Sequence, residues 1–272
     1  MVFELLLTAG LLAFSLALRS FETPFLFRLG NLGILAASYL VGWLLSGSHP
    51  VGFLCVSLWF LFPWVDIVGR VRHIEMPDSL PIDSQVPPGP HRFPALDELT
   101  EEAEAEGFTR VEDLGWDVHQ QRHFVRLMVH PATQMRASIN LVENDEMSFF
   151  YIALRTQTVD GKIFQTWNYP FSMSLTAPPN WVVNCIRDAE SFLELVAAHR
   201  TLLIQRHTEA AAPVPVTLEA LKAEIESEMR SQVAHNIKKG FLLQSGKGLV
   251  KYSWKGCFFL WLQFVKELVR VR

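Results

Sequence analysis

Three long apolar runs in the first seventy residues most constrain what this chain can fold into. Few charges interrupt them, and each has about the length, roughly 17 to 25 residues, that a helix needs to cross the hydrocarbon core of a bilayer. The sequence therefore predicts an α-helical membrane region over residues 1–72. Its three transmembrane helices are expected at about 2–18, 30–47 and 51–68.

The first run also has the length of a secretory signal peptide. Such peptides begin with a basic region and end at a small-residue cleavage site. Here Glu4 stands where the basic region would be, and no convincing cleavage site follows. We therefore favour a retained span over a cleaved signal.

Arginines at the ends of the runs predict the orientation of the chain. Positively charged loops stay in the cytoplasm. Arg19 and Arg28 follow the first run, Arg70 and Arg72 follow the third, and the turn between the second and third has neither Lys nor Arg. With three crossings, this pattern predicts a multi-pass protein of the cell (inner) membrane, with its N-terminus outside and its soluble part cytoplasmic.

Asp66 is the one acid in the third run, and an acid inside a membrane is by default a candidate for transport. It lies two residues after Trp64 and four before Arg70. This position predicts a paired or hydrated carboxylate at the headgroup level, so we disfavour a transporter.

The net charge of −4 conceals two regions of opposite sign. Residues 73–228 contain eleven basic and 24 acidic residues, whereas residues 229–272 contain nine basic residues and one acid, Glu267. An acidic body with a basic tail indicates two surfaces that attract different partners.

Six prolines lie in residues 73–94, and this stretch has almost no apolar periodicity. Because proline fixes φ and removes a hydrogen-bond donor, the stretch is predicted to be an extended linker that holds the soluble domain off the bilayer. The PxxP match at Pro87 to Pro90 would suit a proline-binding partner, but a plain linker explains it more simply.

Residues 95–272 are predicted to form a cytoplasmic α+β domain. A helix over 95–106 is followed by β-branched and aromatic runs, whose short connections favour an antiparallel meander with flanking helices. In the third strand Arg136, Ser138 and Asn140 alternate with apolar residues, so one face of the sheet is expected to be wet. The predicted strands are 109–114, 123–129, 135–142, 147–156 and 162–167.

The rest of the domain is predicted to contain three helices and a β-hairpin, with Asp188 as the N-cap of the first helix. The expected helices are 188–207, 217–239 and an amphipathic one at 257–271, and the hairpin strands are 241–244 and 249–254.

This last helix is too short to cross a bilayer, is rich in aromatic residues and has basic flanks. These traits are typical of an interfacial helix on an anionic leaflet, where each basic residue adds about 1 kcal/mol. The alternative is that its apolar face packs on the domain itself. The residues predicted to contact the membrane surface are Lys251, Lys255, Trp261, Lys266, Arg270 and Arg272.

Trp167, Asn168 and Tyr169 form a second candidate site, because an amide between two aromatic rings could line a binding groove. The alternative is a structural loop.

No residue pattern predicts catalysis, a metal or a cofactor. The spacing of Gly240 to Lys247 departs from that of a phosphate-binding loop. His119 and His123 have no third ligand at a recognisable spacing, and the three cysteines are isolated. The hairpin after the long helix is also typical of a winged-helix domain, but no compact three-helix unit precedes it. We therefore expect no cofactor and no nucleic-acid partner.

Three groups of short motifs occur in order along the chain. They are 93–96 with 107–108, 159–162 through 166–170, and 239–242 through 252–256. These stretches resemble a group of uncharacterised bacterial membrane proteins. The resemblance covers most of the chain and implies one continuous architecture, without an activity, a ligand or a site.

These observations predict a membrane-anchored, non-enzymatic binding or scaffold module. Its expected partners are the lipid bilayer and an unidentified protein. The alternative is a membrane-associated hydrolase or transferase that acts on a lipid-like substrate.

Overall fold

The fold begins with three consecutive helices, followed by an α+β domain. The structure, a computed structural model, describes residues 2–21, 23–79, 81–118, 121–145, 147–206 and 218–269. The N-terminal helices are α1 (Val2–Arg19), α2 (Pro24–Ser46) and α3 (His49–Gly69). Helix α2 begins six residues before its predicted start, because Pro24 occupies the first turn, where a missing N–H costs nothing.

Small residues allow the three helices to pack closely. A Cβ atom at Gly33 would clash with Ser15 Oγ of α1, and one at Gly42 would lie 2.9 Å from the Val51 carbonyl oxygen of α3. Glycine and serine at helix contacts are typical of association in lipid, where backbones must approach each other to gain packing energy.

Two of these helices are long and apolar enough to span a membrane. They cover Phe25–Ser46 and His49–His73, and only 6% of the apolar window of the second is buried within the chain. Large side chains such as Phe53 and Phe62 are about two-thirds exposed there, which is unfavourable in water. The third predicted span, in α1, stays a prediction.

The main sheet contains the five predicted strands as an antiparallel meander, with one short strand added at each edge. The predicted meander is confirmed, but the parallel pairing of the last strand with its neighbour was not predicted. The strands, in their order across the sheet, are β2 (Asp83–Ser84), β3 (Thr109–Val118), β4 (Gln121–His130), β5 (Met135–Glu143), β6 (Ser148–Gln157), β7 (Ile163–Trp167) and β8 (Trp181–Cys185).

Helices α4 (Leu96–Ala105) and α5 (Phe192–Gln205) cover one face of this sheet and enclose the main apolar core. The predicted N-cap at Asp188 is wrong. Ser191 caps α5 instead, because its Oγ accepts a hydrogen bond from the Glu194 amide at 3.2 Å.

The opposite face of the sheet, which we expected to be wet, is covered by helix α6 (Leu218–Lys238). Leu221 of α6 is buried, and Asn140 of β5 is only 6% exposed. The expectation failed because the alternation within β5 does not show what packs on its polar face, although Leu221, Ile225 and Val233 of α6 recur at multiples of four residues, as in a packed helix. It covers the polar face through ion pairs as well as apolar contacts.

The proline-rich segment, which we expected to be an extended linker, pairs with both sheets. Strand β1 (Met76–Pro77) pairs with the C-terminal hairpin, and β2 pairs with β3 of the main sheet. Both are edge strands, the position in which a sheet tolerates proline, because one side of an edge strand needs no N–H donor. The segment therefore ties the two sheets together.

The second sheet lies beside the end of α3. It contains β1, β10 (Leu249–Tyr252) and β9 (Leu242–Gly246), in that order, and the chain continues into α7 (Trp254–Val269). Its buried residues pack with Trp64, Ile67 and Val68 of α3. The domain therefore sits directly against the third helix instead of being held away from it.

Candidate functional site between the sheet and helix α6

A cavity of about 180 Å³ lies between the main sheet and α6. This volume is slightly larger than that of an engineered cavity that accepts benzene, about 150 Å³. Apolar side chains of the sheet and of α6 form most of the wall, and a smaller number of polar side chains completes it. The principal apolar residues are Ile82, Leu114, Val125, Leu127, Leu221 and Ile225, and the polar ones are Arg136, Ser138, Asn140, Tyr151, Arg155, Gln165, Trp167 and Glu228.

Four charged side chains join the sheet to α6 at this cavity. Arg136 and Arg155 are directly opposite each other on β5 and β6, where two like charges repel. Glu224 and Glu228 are one helical turn apart on α6, so their side chains lie on the same side of the helix. Arg136 Nη2 lies 2.8 Å from a Glu224 oxygen, and Arg155 forms an ion pair with Glu228.

Several polar atoms at this site are buried without a hydrogen-bond partner. They are Nε and Nη2 of Arg155, Oε1 of Glu228 and Nε1 of Trp167. The Arg155 guanidinium also stacks on Trp181, 4.7 Å from the ring centre. An unpaired buried donor or acceptor costs about 1 to 3 kcal/mol, so such atoms are unusual in a folded protein.

Burial changes the acidity of the central pair. It raises the pKa of Glu228 to about 7, although Arg155 and Arg136 act in the opposite direction. Burial likewise lowers the pKa of Arg155. A carboxyl group with a pKa near neutrality can take up or release a proton under physiological conditions.

The arrangement has general features of a ligand pocket. Ligand pockets are mainly apolar concavities with a few well-placed polar groups, as this one is. Among the residues that the structure describes, no three His, Cys, Asp or Glu side chains are placed to hold a metal ion. His119 lies outside the described residues, and His123 stacks on Trp116 with the ring centres 5.1 Å apart.

The predicted binding loop divides between this site and the core. Trp167 lies on the cavity wall. Asn168 is structural, because its Oδ1 accepts from the Ile152 amide at 2.7 Å and its Nδ2 donates to the Ala189 carbonyl at 3.0 Å. Tyr169 packs against Trp167, with the ring centres 5.2 Å apart, and joins a cluster with Phe149 and other aromatic rings.

Four of the six residues predicted to contact the membrane surface are described, and they lie around the second sheet and α7. Lys251 is half-buried in β10, and Lys266 is exposed on α7. Lys255 Nζ donates to the Lys239 carbonyl at 2.7 Å and lies over the Phe241 ring. Arg270 and Arg272 lie outside the described residues.

Trp261, the sixth of these residues, packs on α3. Its Nε1 donates to the Phe60 carbonyl at 2.8 Å, and its ring contacts Trp64. Pro63 lies within the same turn of α3, and its missing N–H leaves the Trp59 carbonyl without its helical donor. The indole N–H therefore reaches the helix carbonyl next to the one that the proline leaves without a donor.

Sequence reasoning missed the four charged residues that join the sheet to α6. Arg136 was predicted to lie on a solvent-exposed face of the sheet. Arg155 was predicted only to belong to a strand. One signal was present: Glu224 and Glu228 are four apart on a predicted helix, and two arginines occupy strands whose pairing can be read from the meander. The cavity between these residues cannot be predicted from the sequence, because it depends on how α6 packs on the sheet.

Asp66 forms an ion pair with Arg70, with Oδ1 2.8 Å from Nε, and both side chains are more than half exposed.

Comparison with known proteins adds no further constraint. No family model, no curated protein and no solved structure matches this chain.

Proposed function

We propose that this chain is a membrane-anchored binding protein whose domain holds a small organic ligand between the main sheet and α6. The observation that carries this proposal is the cavity of about 180 Å³ with unpartnered buried polar atoms in its wall. A ligand that fills the cavity and bonds to these atoms would remove their desolvation cost. Binding, and not turnover, is the proposed activity.

The proposed location is the inner membrane, with three spans, the N-terminus outside and the domain cytoplasmic. Support comes from the arginines that flank the spans and from the two described helices that have the length and apolarity to cross. The contact of α7 with α3 would place the domain against the cytoplasmic leaflet. Lys251, Lys255 and Lys266 would then lie near lipid headgroups.

Labelling of cysteines in vesicles and intact cells tests this topology. Cys185 is exposed on β8, whereas Cys257 is buried. A membrane-impermeant maleimide is expected to label Cys185 in inside-out vesicles and not in intact cells. Ser48→Cys and Phe3→Cys are introduced separately into a Cys185→Ser background. Each introduced cysteine is expected to be labelled by the maleimide in intact cells. Labelling of Cys185 from outside would contradict the orientation, and failure of Phe3→Cys to label from outside would contradict the third span.

Thermal unfolding of the full-length protein in mild detergent, with a panel of small organic compounds, tests the binding proposal. A ligand at 100 times its Kd stabilises the folded state by about 2.7 kcal/mol. We expect some compounds to raise the unfolding temperature of the wild type but not of Ala153→Leu, which fills the cavity. Ala197→Leu makes the same change on the exposed face of α5 and is the matched control. A panel that stabilises no variant, or all three equally, would contradict the proposal.

A second candidate function is a membrane-associated hydrolase or transferase acting on a lipid-like substrate. The raised pKa of Glu228, about 7, favours it, because a carboxyl group of this acidity can act as a general acid or base at neutral pH. Turnover of a lipid or lipid precursor by the purified protein, lost in Glu228→Gln, would favour this function over binding alone.

A further inference from the structure

The free atoms of the cavity wall define the chemistry of a matching ligand. Arg155 has two free donors, Nε and Nη2, and these lie on the same edge of the planar guanidinium. That edge matches the two oxygens of a carboxylate, to which a guanidinium donates two parallel hydrogen bonds. Trp167 Nε1 supplies a third free donor on the same wall.

We propose that the cavity binds a small monocarboxylic acid, with its carboxyl group on Arg155 and Trp167 and its apolar body against α6. This inference rests on the proposed binding function and specifies the ligand class. The apolar body would contact side chains that include Leu114, Leu221 and Ile225. The volume of about 180 Å³ suits a body of the size of a benzene ring or a short branched chain.

The charges at the site require that one proton enters with the ligand. Arg136 on β5 and Arg155 on β6 are balanced by Glu224 and Glu228 on α6, so an added carboxylate would leave one buried negative charge. Glu228 faces both arginines and Glu224, and its free Oε1 lies at the cavity. A proton taken from solvent and shared between Glu228 and the ligand carboxylate restores neutrality.

Linkage to this proton gives the binding a characteristic pH dependence. Burial raises the pKa of Glu228 to about 7, so protonation is easy below this pH and costly above it. The ligand itself stays ionised in solution over this range. The affinity for a carboxylate is therefore expected to fall about tenfold between pH 6 and pH 8.

Isothermal titration of the full-length protein in mild detergent tests the inference with three acids: benzoate, phenylacetate and hexanoate. Benzamide, which has the shape of benzoic acid without its charge, is the matched neutral probe. At least one acid is expected to bind with the predicted pH dependence and with uptake of about one proton at pH 8. The affinity for benzamide is expected to be independent of pH.

Three variants assign the contacts. Trp167→Phe keeps the ring but removes the donor, and it is expected to weaken acid binding about fivefold to tenfold, which corresponds to one hydrogen bond. Glu228→Gln is expected to keep acid binding and abolish its pH dependence. Arg155→Lys removes the paired donors and is expected to lose at least about tenfold, whereas Arg200→Lys on exposed α5 is expected to change nothing.

The outcomes separate this inference from the function on which it rests. If benzamide binds and none of the acids does, the ligand class is wrong and the cavity is still a binding site. If an acid binds with an affinity that does not change with pH, the ligand class stands and the proton on Glu228 is not part of the binding. If neither the acids nor benzamide binds and the compound panel stabilises no variant, the binding function itself fails. Equal acid binding by Trp167→Phe and wild type would remove Trp167 from the site.

Discussion

Two buried titratable residues lie on opposite faces of the main sheet and respond to pH in opposite directions. Glu228 lies on the α6 side, where burial raises its pKa from 4.5 to about 7. His199 of α5 lies on the other side and is fully buried between Thr156 and Thr166, each 2.9 Å from a ring nitrogen. Burial lowers its pKa from 6.5 to about 4.

Glu228 is expected to make the fold less stable as pH rises. An acid whose pKa is raised on folding binds its proton more tightly in the folded state, so its favourable contribution is lost between about pH 4.5 and pH 7. We expect Glu228→Gln to remove this loss, a difference of about 1 to 3 kcal/mol between pH 5 and pH 7.5. Unfolding temperatures measured at both pH values check this. Glu226→Gln, in an exposed pair with Arg230, should follow the wild type.

His199 is expected to make the fold less stable as pH falls. A histidine whose pKa is lowered on folding favours the folded state above its ordinary pKa of 6.5 and loses that contribution on the way to pH 4. His199→Gln can still bond to a threonine but does not titrate. It should therefore lose less stability than the wild type between pH 7 and pH 4.5, by up to about 3 kcal/mol. An unchanged pH profile would contradict a neutral, buried His199, and exposed His91→Asn is the control.

For single residues, the sequence indicated which residue types could contact a ligand but not which of those residues line the cavity. Trp167 was selected for its aromatic neighbours, and it does lie at the cavity. Asn168 was selected beside it, yet its amide closes backbone hydrogen bonds between β6 and the segment before α5. The roles of Trp167 and Asn168 differ because some buried backbone groups near Asn168 lack a backbone hydrogen-bond partner. Tertiary packing determines which groups these are.

Helix α7 is attached to the rest of the molecule by three kinds of contact. Its Trp261 donates to the Phe60 carbonyl of α3. Its Trp254 ring lies 4.1 Å from the Arg72 guanidinium carbon. Its Glu267 accepts two hydrogen bonds from Arg187, both at 2.7 Å. This helix therefore joins the third N-terminal helix to the loop that follows β8.

The bond from Trp261 to α3 is expected to contribute to stability independently of Pro63. Trp261→Phe keeps an aromatic ring but removes the donor to the Phe60 carbonyl, and it should lower stability by about 0.5 to 1.5 kcal/mol. Pro63→Ala restores a helical donor to the Trp59 carbonyl and not to that of Phe60, so the same substitution should cost as much in a Pro63→Ala background. Unfolding temperatures of the four proteins in detergent give the coupling energy. A cost that differs between the two backgrounds would contradict this independence.

Helix α6 shows most clearly which elements the sequence could predict. Its existence and approximate bounds follow from the residue pattern, as do the meander, the hairpin and α7. Its partner does not follow, because α6 packs on a polar sheet face, where Arg136 and Arg155 form ion pairs with the helix in addition to its apolar contacts. The parallel strand β8 was missed for a similar reason: it pairs with β7 across an intervening loop, and local pattern does not reveal such long-range pairing.

At the scale of the whole molecule, α6 connects the cavity with the region beside α3. Its N-terminal half carries Leu221 and Glu228 at the cavity, and its C-terminal half packs Val233 and Ile237 against the second sheet. Asn236 is fully buried there and exchanges hydrogen bonds with Thr176. A shift of α6 on ligand binding would therefore change its contacts near the end of α3, because Glu228 and Ile237 lie only about 14 Å apart along the same helix.

The most direct test of the proposed ligand site is to purify the full-length protein from its own membrane in mild detergent and to identify retained small molecules by mass spectrometry. Wild type and Ala197→Leu are expected to retain one carboxylic acid of benzoate to hexanoate size per chain, and Ala153→Leu is expected to retain none. A wild-type protein without any small molecule, or one whose retained molecule is equally abundant in Ala153→Leu, would contradict the claim that the cavity between the sheet and α6 is a binding site.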